Sequence, residues 1–365
     1  MANRLELMDK RGFSKKIIGW YWANLRDLPW RNTQDPYRIW LSEVILQQTR
    51  VAQGLPYYHE FVRLFPNIRS LASASEDQVM RAWQGLGYYS RARHLHACAK
   101  LVVARHNGKF PRESHALRVL PGIGVYTAAA IASMAFGQPE AVVDGNVYRV
   151  LARIFGMDDD ISAPAGKKAF EKKAKELLDT GQPGIYNQAI MEFGALQCTP
   201  KSPGCATCIF SSACHARAKN LQHALPVKGK RAKVRSRYFT YLIPAKGKKL
   251  AMKKRGVKDI WAGLYDFYVV EGKRPQRPET IIKNDKGLAP ILPYLNIEMK
   301  GGLYKHVLTH QHIFARFVLL SLPRTFPAKK VAAGLGARFY SPAEIALLPK
   351  PALVSRFFKQ SGLLE

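Results

Sequence analysis

Acid is what this sequence has least of. Only 26 aspartate and glutamate residues stand against 57 lysine and arginine residues in 365 positions, a formal net charge of +31. With 47% hydrophobic residues the chain still has enough apolar material for real cores. A folded protein with so large an excess of base points to a polyanionic partner, because each phosphate neutralised by lysine or arginine releases condensed counterions. Cysteine is scarce as well, and five residues in such a chain argue against a disulfide framework. No apolar run reaches the roughly 20 residues of a transmembrane helix. The start, MANRLELMDKRGF, lacks the apolar segment of a secretory signal. No long basic amphipathic helix stands apart from core-forming neighbours, which disfavours a membrane surface as the polyanion. A cytoplasmic protein is expected, and monomeric, since no coiled coil is visible. Internal repeats and low-complexity segments are also missing.

Strand signals are nearly absent before residue 220, so the first part of the chain reads as all-α. Apolar periodicity predicts helices over 13–25, 40–53, 56–65, 76–84, 90–105, 114–120, 125–136, 146–155, 167–179 and 184–197. In 40–53 the apolar stripe is Leu41, Val44, Ile45, Gln48 and Ala52, with Glu43 and Gln47 four apart on a neighbouring face. Acid vanishes altogether from LQHALPVKGKRAKVRSR (221–237), where Lys228, Lys230, Arg231, Lys233, Arg235 and Arg237 make a basic inter-domain linker. Beyond it the period becomes strand-like in YFTYLIPA, KLAMKK, LYDFYVV and HVLTHQHIFARFVLLSL. SPAE (341–344) reads as a capping box on Ser341, and PALVSRFFKQ as a last helix. Residues 238–365 are therefore expected to form an α+β domain.

The chemistry gathers in a few stretches. LPGIGVYTAAAIASMAFGQPEAVVDGNVYRVL (120–151) sets a Pro-Gly-x-Gly turn between two apolar helical runs and ends on Asp144 ahead of a further helix. Backbone N–H groups at such a turn, from Gly122, Gly124 and Val125, suit a phosphate. Asp144 fits a helix N-cap, a role compatible with remaining ionised beside a cation. Cys198, Cys205, Cys208 and Cys214 give C-x6-C-x2-C-x5-C. Only one C-x2-C knuckle occurs, which favours one iron–sulfur cluster over zinc, with Lys201 nearby for phosphates. Cys98, inside a helix, reads as a small buried hydrophobe.

LPGIG (120–124), VDGNV (143–147) and the cysteine loop together resemble the helix–hairpin–helix DNA glycosylases of the endonuclease III superfamily. WLSEVILQQT (40–49), QGLGYYSRAR (84–93) and VDGNVYRVL (143–151) resemble its adenine-removing branch, and WAGLYDF (261–267) with HVLTH (306–310) resembles that branch's Nudix-like C-terminal domain. The resemblance implies a multidomain protein. An all-α helix–hairpin–helix glycosylase region (1–220) carries an iron–sulfur loop (198–214) of the 4Fe–4S type, and is followed by an α+β Nudix-like lesion-recognition domain (238–365). It also implies base excision repair of adenine mispaired with 8-oxoguanine or guanine in duplex DNA, with the enzyme on the nucleoid when bound.

By the same resemblance Glu43 is the general acid that protonates adenine. Asp144 stabilises the oxocarbenium ion, and Asn146 contacts the same region. Tyr126 stands where bifunctional relatives carry a Schiff-base lysine, which implies a monofunctional enzyme. Arg26, Leu28, Trp30, Arg31 and Gln188 form the adenine pocket. Gln48, Leu86 and Tyr88 fill or wedge the duplex when the base is extruded. The family's Phe-Ser-His loop aligns with Leu308, Thr309 and His310, so the hydroxyl and imidazole remain while the aromatic is replaced. Acids are too sparse beyond 238 for a Nudix magnesium site, so that domain is expected to bind rather than hydrolyse. Three other readings stay open: a bifunctional endonuclease III-like glycosylase/lyase, disfavoured by Tyr126 and the second domain, a thymine–guanine mismatch glycosylase of the same superfamily, disfavoured by the basic linker and the C-terminal unit, and a non-catalytic iron–sulfur DNA-binding protein, disfavoured by the two carboxylates.

Overall fold

A computed structural model describes residues 10–229, 234–256 and 259–364. Lys230, Arg231 and Lys233 of the basic stretch lie outside the described residues, as does most of MANRLELMDKRGF. The chain divides into two compact units, Met1–Ser73 with His94–Lys230, and Ala74–Arg93 with Arg231–Glu365. The helices preceding the first strand are α1 (Lys10–Asn24), α2 (Pro36–Leu46), α3 (Val51–Leu64), α4 (Ile68–Ser73), α5 (Glu76–Ala82) and α6 (Ser90–His106). They continue with α7 (Ser114–Leu117), α8 (Val125–Phe136), α9 (Gly145–Phe155), α10 (Pro164–Leu177), α11 (Pro183–Leu196) and α12 (His215–Ala218). Helix α5 and the first turn of α6 fall in the second unit. No helix among the described residues is long and apolar enough to cross a membrane.

The first unit is helical, and its core explains why. Phe13 and Ile17 of α1, Val147, Val150 and Leu151 of α9, and Phe193 of α11 are fully buried in one cluster. Phe13 stacks on Phe210, just beyond the cysteines, at 5.0 Å between ring centres. Helix α2 starts where expected physically: Asp35 caps it by accepting the Tyr37 N–H at 2.9 Å, and Pro36 occupies the first helical position. It does not run on to residue 53. It stops at Leu46, and Gln48 adopts φ 55° before α3 begins at Val51. The turn lets α3 fold back on α2. Gly54 makes the approach possible, since a Cβ there would come within 2.8 Å of Leu46 Cδ2.

The second unit carries a mixed sheet of β1 (Arg235–Lys246), β2 (Lys249–Lys254), β3 (Tyr265–Asp266), β4 (Tyr268–Gly272), β5 (Asn296–Val307), β6 (Gln311–Leu322) and β7 (Arg338–Tyr340). Its main path runs β3-β2-β1-β6-β5, with β4 on β1 and β7 on β2. Strand β1 is central and parallel to β6. That placement explains its unbroken buried run from Phe239 to Ala245, where a one-sided strand would alternate. The strand begins inside the stretch read as linker. Arg235 and Arg237 therefore stand in the sheet, and Arg237 pairs with Glu271 at 2.6 Å. Strands β5 and β6 form an antiparallel hairpin whose tip is Leu308–His310. Helices α13 (Pro278–Asn284), α14 (Ala328–Leu335), α15 (Pro342–Leu347) and α16 (Ala352–Ser361) complete the unit. The capping box at Ser341 and Glu344 is formed in both directions.

Candidate active site

A cavity of about 610 Å³ opens in the first unit between α2, α8, α9, α11 and the loop after α1. Its wall brings together Arg26, Leu28, Trp30, Arg31, Glu43, Gln48, Tyr126, Asp144, Asn146 and Gln188. Residues as far apart in the chain as Arg26 and Gln188 thus share one space. Helix α2 supplies Glu43, flanked in sequence by the buried Ser42 and Val44. Burial pushes the Glu43 carboxyl up to about 7, against a hydrogen bond with Tyr126 that lowers it, and the nearby Asp144 charge adds to the rise. Burial likewise drives the Tyr126 hydroxyl far above its usual range. Its O–H donates to Met191 Sδ at 3.3 Å.

Asp144 is held quite differently. It is the N-cap of α9, and Oδ1 accepts the Asn146 and Val147 N–H groups at 2.9 and 2.8 Å. Oδ2 accepts the Asn146 side-chain amide at 2.7 Å. Burial still raises this carboxyl from its ordinary value, but all three bonds and Arg149 act to restore the anion. Arg149 donates to Asn146 Oδ1 at 2.8 Å, to Gly194 O at 2.6 Å and to Cys198 O at 2.7 Å. One guanidinium therefore fixes the amide that faces Asp144 and ties it to the first cysteine.

The pocket arginines are already engaged. Arg26 and Arg31 both clasp Glu192, Arg26 Nε at 2.7 Å from Oε1 and Arg31 Nη2 at 2.6 Å from Oε2. Burial would raise Glu192, but the two forks outweigh it and bring the carboxyl down to about 2. Glu192 and Met191 were not singled out from the sequence. A lone acid inside the apolar run YNQAIMEFGAL was the available signal, since a buried carboxylate needs a cation. Gln188 accepts the Tyr21 hydroxyl at 2.8 Å through Oε1, which leaves its amide N–H groups for the cavity. Trp30 and Leu28 are buried apolar walls, Trp30 edge-on to Tyr58.

The Pro-Gly-x-Gly turn stands at the start of α8. Gly122 has φ +75°, and a Cβ there would lie 2.6 Å from the Cβ of His94. Gly124 is the extended N-cap with nothing within 4 Å of its would-be Cβ, and Val125 is 51% exposed. The four cysteines of the loop all line one small cavity. Burial pushes the Cys208 thiol up to about 11, and the other three sulfurs add to the rise, as they must when grouped. Arg153 runs beneath, donating to Thr199 O at 2.7 Å and Pro200 O at 3.0 Å, with Cys198 Sγ at 3.5 Å. Among the described residues no group of three His, Cys, Asp or Glu side chains is placed to hold a single metal ion.

The remaining candidates meet in the second unit. Leu86, Tyr88, Leu308, Thr309 and His310 line a cavity of about 430 Å³ with Trp261 and His306. Gly85 and Gly87 take positive φ, and so does Tyr88 at 47°, an uncommon backbone for an aromatic residue. The Trp83 indole N–H holds Gly87 O at 3.0 Å, and Arg91 lies over the Trp83 ring. Tyr88, 46% exposed, shares a hydrogen bond with the Thr309 hydroxyl.

Residues 41–179 match the HhH-GPD superfamily of base excision DNA repair proteins, and 239–360 match the NUDIX domain. Fold and cavity thus define a base excision repair protein of the HhH-GPD class with a Nudix-type second domain. Adenine DNA glycosylase of Buchnera aphidicola subsp. Schizaphis graminum (strain Sg) is 33% identical over 316 residues, covering 85% of this chain and 86% of that protein. On that coverage the chain belongs to the adenine DNA glycosylase family. The Homo sapiens adenine DNA glycosylase is 42% identical over 233 residues, which span 61% of this chain and 43% of the human protein, so the match takes in less than half of that relative. Among solved structures, a thermostable thymine-DNA glycosylase superposes with a TM-score of 0.52 at 29% identity, over 57% of this chain and 97% of its own. An endonuclease III solved in a non-covalent DNA complex has a TM-score of 0.50 at 20% identity, over 58% and 98%, a likeness of fold.

Proposed function

We propose that this chain is a monofunctional adenine DNA glycosylase acting on adenine opposite 8-oxoguanine, or guanine, in duplex DNA. The observation that carries the reading is the pair of carboxyls on one cavity with opposite surroundings. Burial raises the Glu43 carboxyl to about 7, so its proton is available near neutral pH, while Asp144 is surrounded by donors that favour the anion. An everted adenine enters between Trp30 and Leu28, and the Gln188 amide meets its edge. Glu43 gives its proton to the base. The C1′–N9 bond breaks, and its electron pair leaves with the neutral purine. The Asp144 anion faces the positive sugar. Water then bonds to C1′ and returns a proton to the Glu43 carboxylate. Tyr126 has no amine for a Schiff base, so the abasic product stays unbroken.

In this reading Gly122, Gly124 and Val125 seat a phosphate at the start of α8. Leu86 and Tyr88 act on the stack, and Thr309 and His310 face the oxidised guanine. The donor set of the loop fits an iron–sulfur cluster: Cys198, Cys205, Cys208 and Cys214 face one space and are all soft ligands. Such a cluster would supply iron–thiolate bonds holding residues 198–214 together, and Arg149 and Arg153 of α9 would join that loop to the helix through the carbonyls of Cys198, Thr199 and Pro200.

The test uses duplexes with A opposite 8-oxoguanine, T opposite G, or thymine glycol, scored with and without alkali. Adenine release with strand breaks only after alkali is expected, and Glu43→Gln should bind the A:8-oxoguanine duplex yet release nothing. Thymine release, nicking without alkali, or binding without release would each select a rival. Iron and sulfide analysis of the purified protein tests the cluster.

A further inference from the structure

Gln188 meets the base with an amide, and an amide has two faces. Its oxygen accepts, its nitrogen donates, and a half-turn of the side chain exchanges them. Tyr21 of α1 decides between the two from behind. It is 2% exposed and does not line the cavity. Its O–H donates to Gln188 Oε1 at 2.8 Å. We propose that Tyr21 is a specificity-determining positioning residue, which locks the Gln188 amide so that the pocket shows a donor to the base. The inference rests on the reading of this cavity as the adenine pocket.

The groups around Tyr21 leave its proton that one destination. Arg31 lies over the ring, its Cζ 5.6 Å from the ring centre, and a guanidinium has no lone pair to accept with. Glu192 spends both carboxylate oxygens on Arg26 and Arg31. Burial raises the Tyr21 hydroxyl above its ordinary value, so it stays protonated and keeps donating. Turning the amide over would leave that proton buried without an acceptor, at the full desolvation penalty. The oxygen is therefore held away from the cavity, and the N–H groups face it. Adenine suits such a donor. A proton on N7 lets the neutral purine leave, and N1 and N3 still carry lone pairs for Gln188. A base without an acceptor at that place leaves the amide unpaired and is penalised. An amide free to turn would lose most of that discrimination.

The experiment is single-turnover base release opposite 8-oxoguanine, with adenine, 1-deazaadenine or 3-deazaadenine as the target. Each analogue replaces one acceptor nitrogen by C–H. The proteins are wild type, Tyr21→Phe, Gln188→Leu and the double variant. An analogue also changes how readily the base leaves, but that change is common to every protein and cancels when adenine-to-analogue rate ratios are compared. Tyr21→Phe keeps the ring and removes one oxygen. It should shrink the ratio for one of the two analogues by about fivefold, the scale of one net hydrogen bond. Gln188→Leu should shrink the same ratio, and Tyr21→Phe added to it should change nothing more. Ratios unmoved by Tyr21→Phe overturn the proposal. A loss shared equally by all three targets also overturns it, since a packing defect does not read single atoms of the base. So does a Tyr21→Phe shift that persists without Gln188. If Gln188→Leu shrinks a ratio that Tyr21→Phe leaves alone, the pocket reading stands and the part given to Tyr21 falls. If neither variant moves a ratio, the pocket reading falls as well.

Discussion

Asp144 and Glu43 are both carboxyls under burial, and their difference lies in what each is given to hold. Asp144 receives two backbone N–H groups as the cap of α9. Asparagine caps a helix about as well as aspartate. Asp144→Asn should therefore melt within a few degrees of wild type by calorimetry, while adenine release falls by about a hundredfold or more, the usual scale for losing one aligned charge-stabilising group. A variant that is equally stable and fully active would reduce Asp144 to a cap. For Glu43 the sign runs the other way. Its folded value, about 7, lies above the ordinary 4.5, so between those values the folded state binds more protons than the unfolded one. Stability drawn from this group is then lost as pH rises through the window. Glu43→Gln should be the more stable protein above pH 7, by about 3 kcal/mol, and the difference should close below pH 4.5. Denaturant midpoints at both pH values measure it. A glutamine variant no more stable than wild type at pH 8 would mean that the acid is well solvated. Glu43 and Asp144 were legible because family motifs mark them. Glu192 was not, since nothing local in YNQAIMEFGAL tells that Arg26 and Arg31 come round to clasp it.

At the level of elements, periodicity located most helices and missed where one stops. The stripe through Leu41, Val44, Ile45, Gln48 and Ala52 reads as a single helix because no proline or glycine interrupts it. The chain breaks after Leu46, where Gln48 carries the positive φ and Gly54 lets α3 fold back closely on α2. Strand β5 was hidden for a different reason. Asn296–Gly302 is polar and glycine-bearing, with two register shifts against β6, and it borrows its conformation from the hairpin partner. The turn before α8 was legible, and its two glycines have separable roles. Gly122→Ala forces a side chain into positive φ against His94 and should cost about 1–3 kcal/mol of stability. Gly124→Ala sits in extended backbone with open space around it. It should leave the melting temperature unchanged yet weaken duplex binding several-fold, because the methyl stands where a phosphate must approach. Equal binding by Gly124→Ala and wild type in a filter or anisotropy assay would take the phosphate away from this turn.

On the scale of the whole molecule, a charge of +31 and the two cavities answer different questions. Charge neutralises phosphates, and phosphates are the same in every duplex. Affinity should fall by about 10³-fold or more between roughly 50 and 200 mM salt, with one log–log slope for A:8-oxoguanine, A:G and fully paired DNA. Discrimination has to come from groups that touch a base. In the second unit the exposed candidates are Thr309, tied to Tyr88, and His310 at the hairpin tip. Replacing both by alanine removes polar partners worth about 0.5–1.5 kcal/mol each. The preference for A:8-oxoguanine over A:G should narrow by about five- to tenfold, and the salt slope should not move. Titrating binding of all three duplexes across salt, for wild type and the double variant, reads both quantities from one data set. A preference that survives the double substitution places lesion reading elsewhere in the chain. A slope that changes with the substitution makes the hairpin tip a phosphate contact, and the oxidised base is then recognised by other residues.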